Sequence, residues 1–548
     1  MSQNSSSSSA SGPVASSNIA LYSSVTPEQP QCPRTRHILS GTFNTPHLHL
    51  LRFDTLTRAL TLVHQISSNS SSSVSPSFSS STATSPHAHV PEGAIQAKGP
   101  HQFLALGKSI GSVGTCDAYA GPGPSNRVAA QKSRPNRVYA TTWALKPELS
   151  AWEIRWDGEA QSESKRRGVD AGIGAADPLV RFINSVPITA TSSYVSVQPP
   201  PFYSLTSPSY AHTECGASSR YLYSAGGPSG EVHKLNEDGS IASKVQEVVF
   251  LAEGKEALKS ADKTRKALRY GAHSVDFSPD STRAYVADLG RNSILVYSVN
   301  PNSGMLDEVV DEVRAFEEGD GPRHVIPSPD GKWIASVTEH TSYVDIFAVP
   351  AAKEGKIFHV QRADILPSGS DRSAYRGDTL RLSPSGRALL ATTRGKTSSV
   401  RGYVRAWSWD STGSQVEELG AAGPLGEVLH TYSTPTSGGK ANAIEWAPSY
   451  SSSLAVHRHA PFPTVQGSSS SPISSAQFRE QQNSETQEDQ EEDWAVLTDD
   501  EEGHVLVLRW TGKDLEEVSR VTLRGAYGGE AGKEEGQQVG ASHAIWLS

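Results

Sequence analysis

The sequence predicts an all-β chain folded as a seven-bladed β-propeller, and three observations carry that prediction. Short runs rich in β-branched and aromatic residues are bounded throughout by Gly, Pro, Asn, Asp and Ser, with few helical periods. A unit of strand, serine turn and strand recurs every 50 to 55 residues, the spacing of Ser278, Ser328 and Ser383. A period near this length with several strands per unit is a propeller signature. Finally, the last residues, GASHAIWL from Gly540, read as a strand able to close a ring.

The repeat is clearest in three segments. They are HSVDFSPDSTRAYVADLGRNSILVYSV from His273, RHVIPSPDGKWIASVTEHTSYVDIFAV from Arg323, and DTLRLSPSGRALLATTRG from Asp378. The first two carry a third strand directly (ILVYSV, YVDIFAV), and in the last it follows an insertion (GYVRAWSW). Weaker copies lie upstream in RHILSGTFNTPHLHLLRFD from Arg36, NRVYATTWALKPELSAWEIRW from Asn136 and SRYLYSAGGPSGEVHKL from Ser219. Downstream, ANAIEWAPS from Ala441 joins WAVLTDDEEGHVLVLRW from Trp494 across an acidic insert. The near-constant repeat length argues against a tandem of β-sandwiches.

Composition separates the propeller from what interrupts it. Residues 1–24, about 66–86 and about 451–493 are rich in Ser, or in Gln and acid, and offer too little apolar surface to offset the entropy of ordering. They predict a disordered N-terminal segment, then one propeller domain over 25–548 with two disordered insertions. Such loops cost little extra closure entropy at blade edges. The net charge of −9 and the lack of a basic stripe argue against nucleic acid as a partner. Cys32, Cys116 and Cys215 are too widely spaced for a disulfide framework or a zinc CxxC pair, which fits a reducing compartment. The N-terminal residues lack the basic and apolar regions of a secretory signal, and no apolar run approaches the roughly 18 to 20 residues of a membrane span. The expectation is a cytoplasmic protein with no membrane partner.

Strand geometry turns the repeat into a site. In a blade the first strand lines the channel and the second returns antiparallel beside it. The residue five before the turn serine and the residue eleven after it therefore reach the same level, at about 3.3 Å per residue. The opening positions are His273, Arg323 and Asp378, and the closing positions Leu289, Glu339 and Arg394. The repeat thus gathers His273, Arg323, Glu339, Arg394 and Asp378 at one mouth. Two arginines there would bind carboxylate or phosphate through charge-assisted hydrogen bonds. A neighbouring His and Glu offer proton transfer near neutral pH. The plainer alternative is an Arg323–Glu339 ion pair that merely braces the channel.

Other motifs carry less. GKSIG at Gly107–Gly111 fits the GxSxG nucleophile elbow, but no helical run follows. As a P-loop it fails, because Gln102 stands where the first glycine is needed. The His pairs at His47, His87 and His457 have no fixed carboxylate partner, so no metal is expected. TDDEE at Thr498 reads as a solvated hairpin turn.

The units around HSVDFSPD, GPRHVIPSPDGKW and ATTRG resemble the lactonase family of seven-bladed propellers, most closely from Gly271 to Gly402. That family holds bacterial-type 6-phosphogluconolactonases and fungal carboxy-cis,cis-muconate cyclases. LSGTFNTPHLHLLRFD, YATTW and GASHAIWL are more similar to the cyclase branch. The resemblance implies catalytic His273 and Glu339, with Arg323 and Arg394 binding substrate; after the GKTSSV insertion, Arg401 competes with Arg394. It further implies a cofactor-free closure of a polycarboxylate, 3-carboxy-cis,cis-muconate, to carboxymuconolactone in aromatic-acid breakdown. A 6-phosphogluconolactonase-type lactone hydrolase and a non-catalytic propeller scaffold are the alternatives.

Overall fold

The computed structural model describes residues 34–63, 94–97, 99–107, 136–143, 146–156, 177–199, 220–351, 355–413, 423–448, 492–523 and 539–548. The N-terminal segment, the insertion at 66–86, nearly all of that at 451–493, the three cysteines, residues 108–111 of the GxSxG match and the His pairs at His87 and His457 lie outside them. The described residues form seven antiparallel sheets, numbered as blades in chain order.

From the inside outwards, blade 1 consists of Ala541–Trp546, Thr35–Thr42, His47–Asp54 and Ala59–Leu62, with Ala94–Gln96 also on its third strand. Blade 2 runs through His101–Gly107, Arg137–Thr142, Glu148–Arg155 and Leu179–Pro187. Blade 3 has Tyr194–Val197, Tyr221–Ala225, Ser229–Leu235 and Ile241–Val249. Blade 4 comprises Ala272–Phe277, Arg283–Asp288, Ser293–Val299 and Leu306–Arg314. Blade 5 follows with Pro322–Pro327, Trp333–Thr338, Tyr343–Ala348 and Phe358–Asp364. Blade 6 contains Tyr375–Leu382, Ala388–Gly395, Tyr403–Trp409 and Leu425–Ser433. Blade 7 ends the series with Ile444–Trp446, Asp493–Asp499, His504–Trp510 and Leu515–Thr522. The ring closes as expected: the C-terminal strand pairs with Thr35–Thr42, Leu39 opposite Ile545.

The repeated serine turn explains why these segments form hairpins. Ser278 and Ser328 each donate to the aspartate two residues on, at 2.5 and 2.6 Å, and accept the backbone N–H five residues on, at 2.9 and 3.0 Å. Ser383 accepts the Ala388 N–H at 3.0 Å in the same way. The third residue after each serine is left-handed, with φ of 57° at Ser281, 71° at Gly331 and 68° at Gly386. Glycine meets that demand without a Cβ penalty, and Ser281 adds a hydrogen bond to the Pro199 carbonyl at 2.8 Å. Apolar faces of adjacent blades then pack together, as where Trp333 and Ile346 of blade 5 meet Leu389 and Trp407 of blade 6. Helix among the described residues is limited to short turns, including the 3-10 turn Arg265–Arg269 before blade 4. None is long and apolar enough to cross a membrane.

Candidate functional site

The inner strands of blades 4, 5 and 6 each bulge near their start. In blade 4 the pairing passes from Ala272–Asp288 to Ser274–Ala287, leaving His273 as the extra residue. In blade 5 it passes from Pro322–Thr338 to His324–Val337, leaving Arg323. Blade 6 steps from Gly377–Thr393 to Leu380–Ala391, with Asp378 and Thr379 in the step. A bulge re-aims the side chain it carries, and here it sends three polar residues to one mouth. Glu339 arrives just past the second strand of blade 5, held by its N–H on the Gly321 carbonyl at 2.8 Å. Arg394 and Arg376 are cross-strand partners in blade 6.

The residues expected at the mouth do converge. Glu339 is the hub: Arg323 Nε approaches Oε2 at 3.2 Å, while Arg376 Nη1 and Arg394 Nη2 approach Oε1 at 2.8 and 3.3 Å. Asp378 Oδ1 faces Arg323 Nη2 at 2.9 Å and Arg394 Nε at 3.4 Å, and its Oδ2 accepts the Asn442 N–H at 2.8 Å. Arg323 also donates to the Asp378 carbonyl at 2.6 Å. The Arg323–Glu339 ion pair is therefore present, as one contact in a wider network. Three guanidinium groups face two carboxylates, one positive charge in excess. Arg401 is exposed and its charge is felt by Tyr432, so Arg394 is the arginine at the mouth.

Burial sets the protonation states. Glu339 pays a large desolvation penalty, yet its guanidinium partners, Arg394 first and then Arg323 and Arg376, outweigh it and hold its carboxyl down at about 2. Burial, reinforced by Arg323 and Arg394, drives His273 well below the usual imidazole range despite the opposing pull of Glu339. His273 is thus a neutral imidazole whose Nδ1 has no hydrogen-bond partner among the described residues. Beneath it, His324 lies 5.3 Å away between ring centroids and takes up Arg323 Nη1 at 3.0 Å.

Outside this network, a pocket of about 220 Å³ opens, lined by Arg269, Tyr270, His340, Arg376 and Lys396. Deeper in the channel, Phe103 stacks on Tyr194 and His543 at 4.0 and 3.9 Å, and His324 meets Tyr194 at 5.2 Å. Past that layer a second pocket of about 280 Å³ holds Asp276, Arg381 and Glu445. There Tyr194 donates to Asp276 at 2.9 Å, burial pushes the Asp276 carboxyl up to about 7, and Arg381 pairs with Glu445 at 2.7 Å.

Sequence reasoning missed Arg376, although it stands two residues before Asp378, where the two-residue period of a strand could have suggested it. The TDDEE turn is also corrected: Asp499 and Asp500 are buried, not solvated. Asp499 takes the Thr436 hydroxyl and the N–H groups of Glu501 and Glu502, and Asp500 pairs with Lys440 at 3.0 Å. His47 and His49 are buried strand residues, and burial, then His47, lowers His49 to about 4. Among the described residues no group of His, Cys, Asp and Glu is arranged to hold a metal ion.

Residues 204–422 match the family described as Lactonase, 7-bladed beta-propeller. The seven sheets make the fold a seven-bladed β-propeller. Muconate cycloisomerase 1 of Cutaneotrichosporon cutaneum is 28% identical over 419 residues, 76% of this chain and 84% of that protein. The carboxy-cis,cis-muconate cyclase of Neurospora crassa is 23% identical over 260 residues, 46% of this chain and 57% of the cyclase. Among solved structures, the periplasmic gluconolactonase of Pseudomonas aeruginosa superposes with a TM-score of 0.53 at 16% identity, covering 94% of this chain and 99% of that one. A putative 6-phosphogluconolactonase of Bacteroides uniformis gives 0.51 at 15%, covering 94% and 100%. At such identities these likenesses establish the shared propeller fold.

Proposed function

We propose that the chain is a cycloisomerase that closes 3-carboxy-cis,cis-muconate to carboxymuconolactone without a cofactor. The observation that carries this reading is Glu339 shared by Arg323, Arg376 and Arg394 beside a neutral, buried His273. The similarity to a muconate cycloisomerase and a carboxymuconate cyclase supports the choice of substrate.

The chemistry follows from charge. A polycarboxylate enters a mouth with excess positive charge, and Arg323 and Arg394 receive its carboxylates. The incoming negative charge offsets the two arginines that depress His273, so substrate binding itself raises the proton affinity of the imidazole. In ring closure a substrate carboxylate oxygen bonds to one alkene carbon. The alkene π pair takes a proton at the neighbouring carbon, and that proton comes from the His273 imidazolium, which forms by proton uptake from solvent once bound substrate has raised the proton affinity of the ring. In the reverse direction neutral His273 removes the same proton, the C–O bond breaks and the alkene is restored. Glu339 stays ionised throughout, fixing the arginines and stabilising the imidazolium.

A lactone hydrolase acting on a phosphorylated sugar lactone is the second reading, favoured by the cationic pocket, which could receive phosphate as readily as carboxylate. An ultraviolet assay of purified protein with 3-carboxymuconate and 6-phosphogluconolactone side by side tests the proposal. Turnover of the first is expected. Turnover of the lactone alone would replace cyclisation by hydrolysis, and turnover of neither would leave a binding scaffold.

A further inference from the structure

The pocket above the mouth is assembled by the same chain positions that build the mouth. His340 follows Glu339, Lys396 lies two residues after Arg394, Arg376 two before Asp378, and Arg269 four before His273. Its lining includes Arg269, Arg376 and Lys396, with His340 and Tyr270, and no carboxylate. His340 Nδ1 contacts the Gly319 carbonyl at 3.1 Å and must donate there, since a carbonyl only accepts. Arg376 joins the two layers: its Nη1 is on Glu339, while the same side chain lines the pocket. Asp371 feels the charge of Lys396 from outside the lining and offsets part of it. The result is a cationic pocket that shares Arg376 with the mouth, where Arg323 and Arg394 pair with Glu339 and Asp378.

We infer that this pocket seats one compact anionic group of the substrate, the 3-carboxylate, and so sets the preference for a tricarboxylate over a dicarboxylate. Arg269 and Lys396 are specificity-determining residues, and Arg376 positions both layers. This rests on the reading of the mouth as the reaction centre, but anion capture by the pocket can be measured without turnover.

The test uses Arg269→Met and Lys396→Met, both exposed positions whose loss leaves the core untouched. Calorimetric titrations with tricarballylate, glutarate and inorganic phosphate accompany kcat/KM for 3-carboxymuconate and for cis,cis-muconate. Wild-type protein should bind tricarballylate more tightly than glutarate, and each substitution should shrink that preference about tenfold, the scale of one charge-assisted contact. The ratio of kcat/KM for 3-carboxymuconate over muconate should fall in parallel. If wild type turns over neither muconate but the binding preference exists and collapses in the variants, the cyclase reading fails and the seat stands. If the tricarballylate preference survives both substitutions, the seat is overturned whatever the activity. If phosphate binding alone is lost, the pocket takes phosphate and the carboxylate assignment is wrong.

Discussion

Glu339→Gln is the perturbation that tests the site most directly, because one charge holds three guanidinium groups. Its depression from 4.5 to about 2 means that the ionised form is favoured in the folded state despite burial. At 1.36 kcal/mol per pKa unit that is about 3 kcal/mol at neutral pH, and breaking a buried ion pair by removing one partner costs roughly 3 to 5 kcal/mol. Both figures point to a drop in melting temperature of about 5 to 10 °C for a domain of this size. The sign with pH is fixed. A depressed carboxyl stabilises above its unfolded value and loses that contribution as pH falls towards the folded value, so the gap between wild type and variant should narrow below about pH 4.5.

The same substitution leaves the mouth with two uncompensated positive charges. Tricarballylate should therefore raise the melting temperature of Glu339→Gln more than that of wild type, while turnover falls about a hundredfold as the imidazolium loses its partner. Differential scanning fluorimetry across an anion series and the ultraviolet assay read both effects. A variant that melts within a degree of wild type, with and without anion, would refute the hub.

Four further outcomes are expected. Burial lowers His49 to about 4 and His101 to about 3, and holds His273, His324 and His543 well below 6.5. The unfolded chain gains protons there first, so stability should fall as pH drops below about 6.5, by up to about 1.4 kcal/mol per pH unit for each histidine. Asp276 and Asp288, raised to about 7 and about 6, oppose part of that loss, and a flat urea-unfolding profile from pH 7 to 5 would contradict neutral buried histidines. Gly377→Ala puts a Cβ 2.2 Å from the Thr338 carbonyl oxygen, between Arg376 and Asp378, and should cost about 1 to 3 kcal/mol together with activity. Arg394→Met should raise KM and lower kcat while Arg401→Met matches wild type; the reverse would place the wrong arginine at the mouth. Deleting 467–490, whose composition offers almost nothing to bury, should shift the melting temperature by no more than a few degrees, and loss of soluble expression would disprove that.

The blades were legible because a single device repeats: a serine that closes a hairpin on its own backbone. Fixed offsets from that serine bring His273, Arg323, Asp378, Glu339 and Arg394 to one level. What the offsets could not supply was the bulge, since His273 and Arg323 look like ordinary strand residues until the pairing register is known. Arg376 stayed hidden because its partner Glu339 belongs to the neighbouring blade. The burial of Asp499 depends likewise on Thr436, a neighbour across 63 residues of sequence. Acidic residues in a turn carry no mark in the sequence that tells a solvated loop from a braced one.

Two sets of charged groups lie at different levels of the channel, with an aromatic layer between them. From His273 to Asp276 is about 10 Å along a strand, and the space between their levels is closed by Phe103, Tyr194, His324 and His543 packed ring on ring. Burial is the largest cause of the lowered His273, and His324 of that layer packs against it. The Asp276–Arg381–Glu445 group lies on the far side, and the charge of Arg381 still reaches His324 and His543 within the layer. A shorter side chain in the layer should therefore act at a distance. Phe103→Ala would open a water path below the mouth, weaken the field on His273 and move the acid limb of the pH–rate profile upwards, towards the ordinary imidazole range. An unchanged limb would mean that the depression does not depend on the layer, which then only fills space.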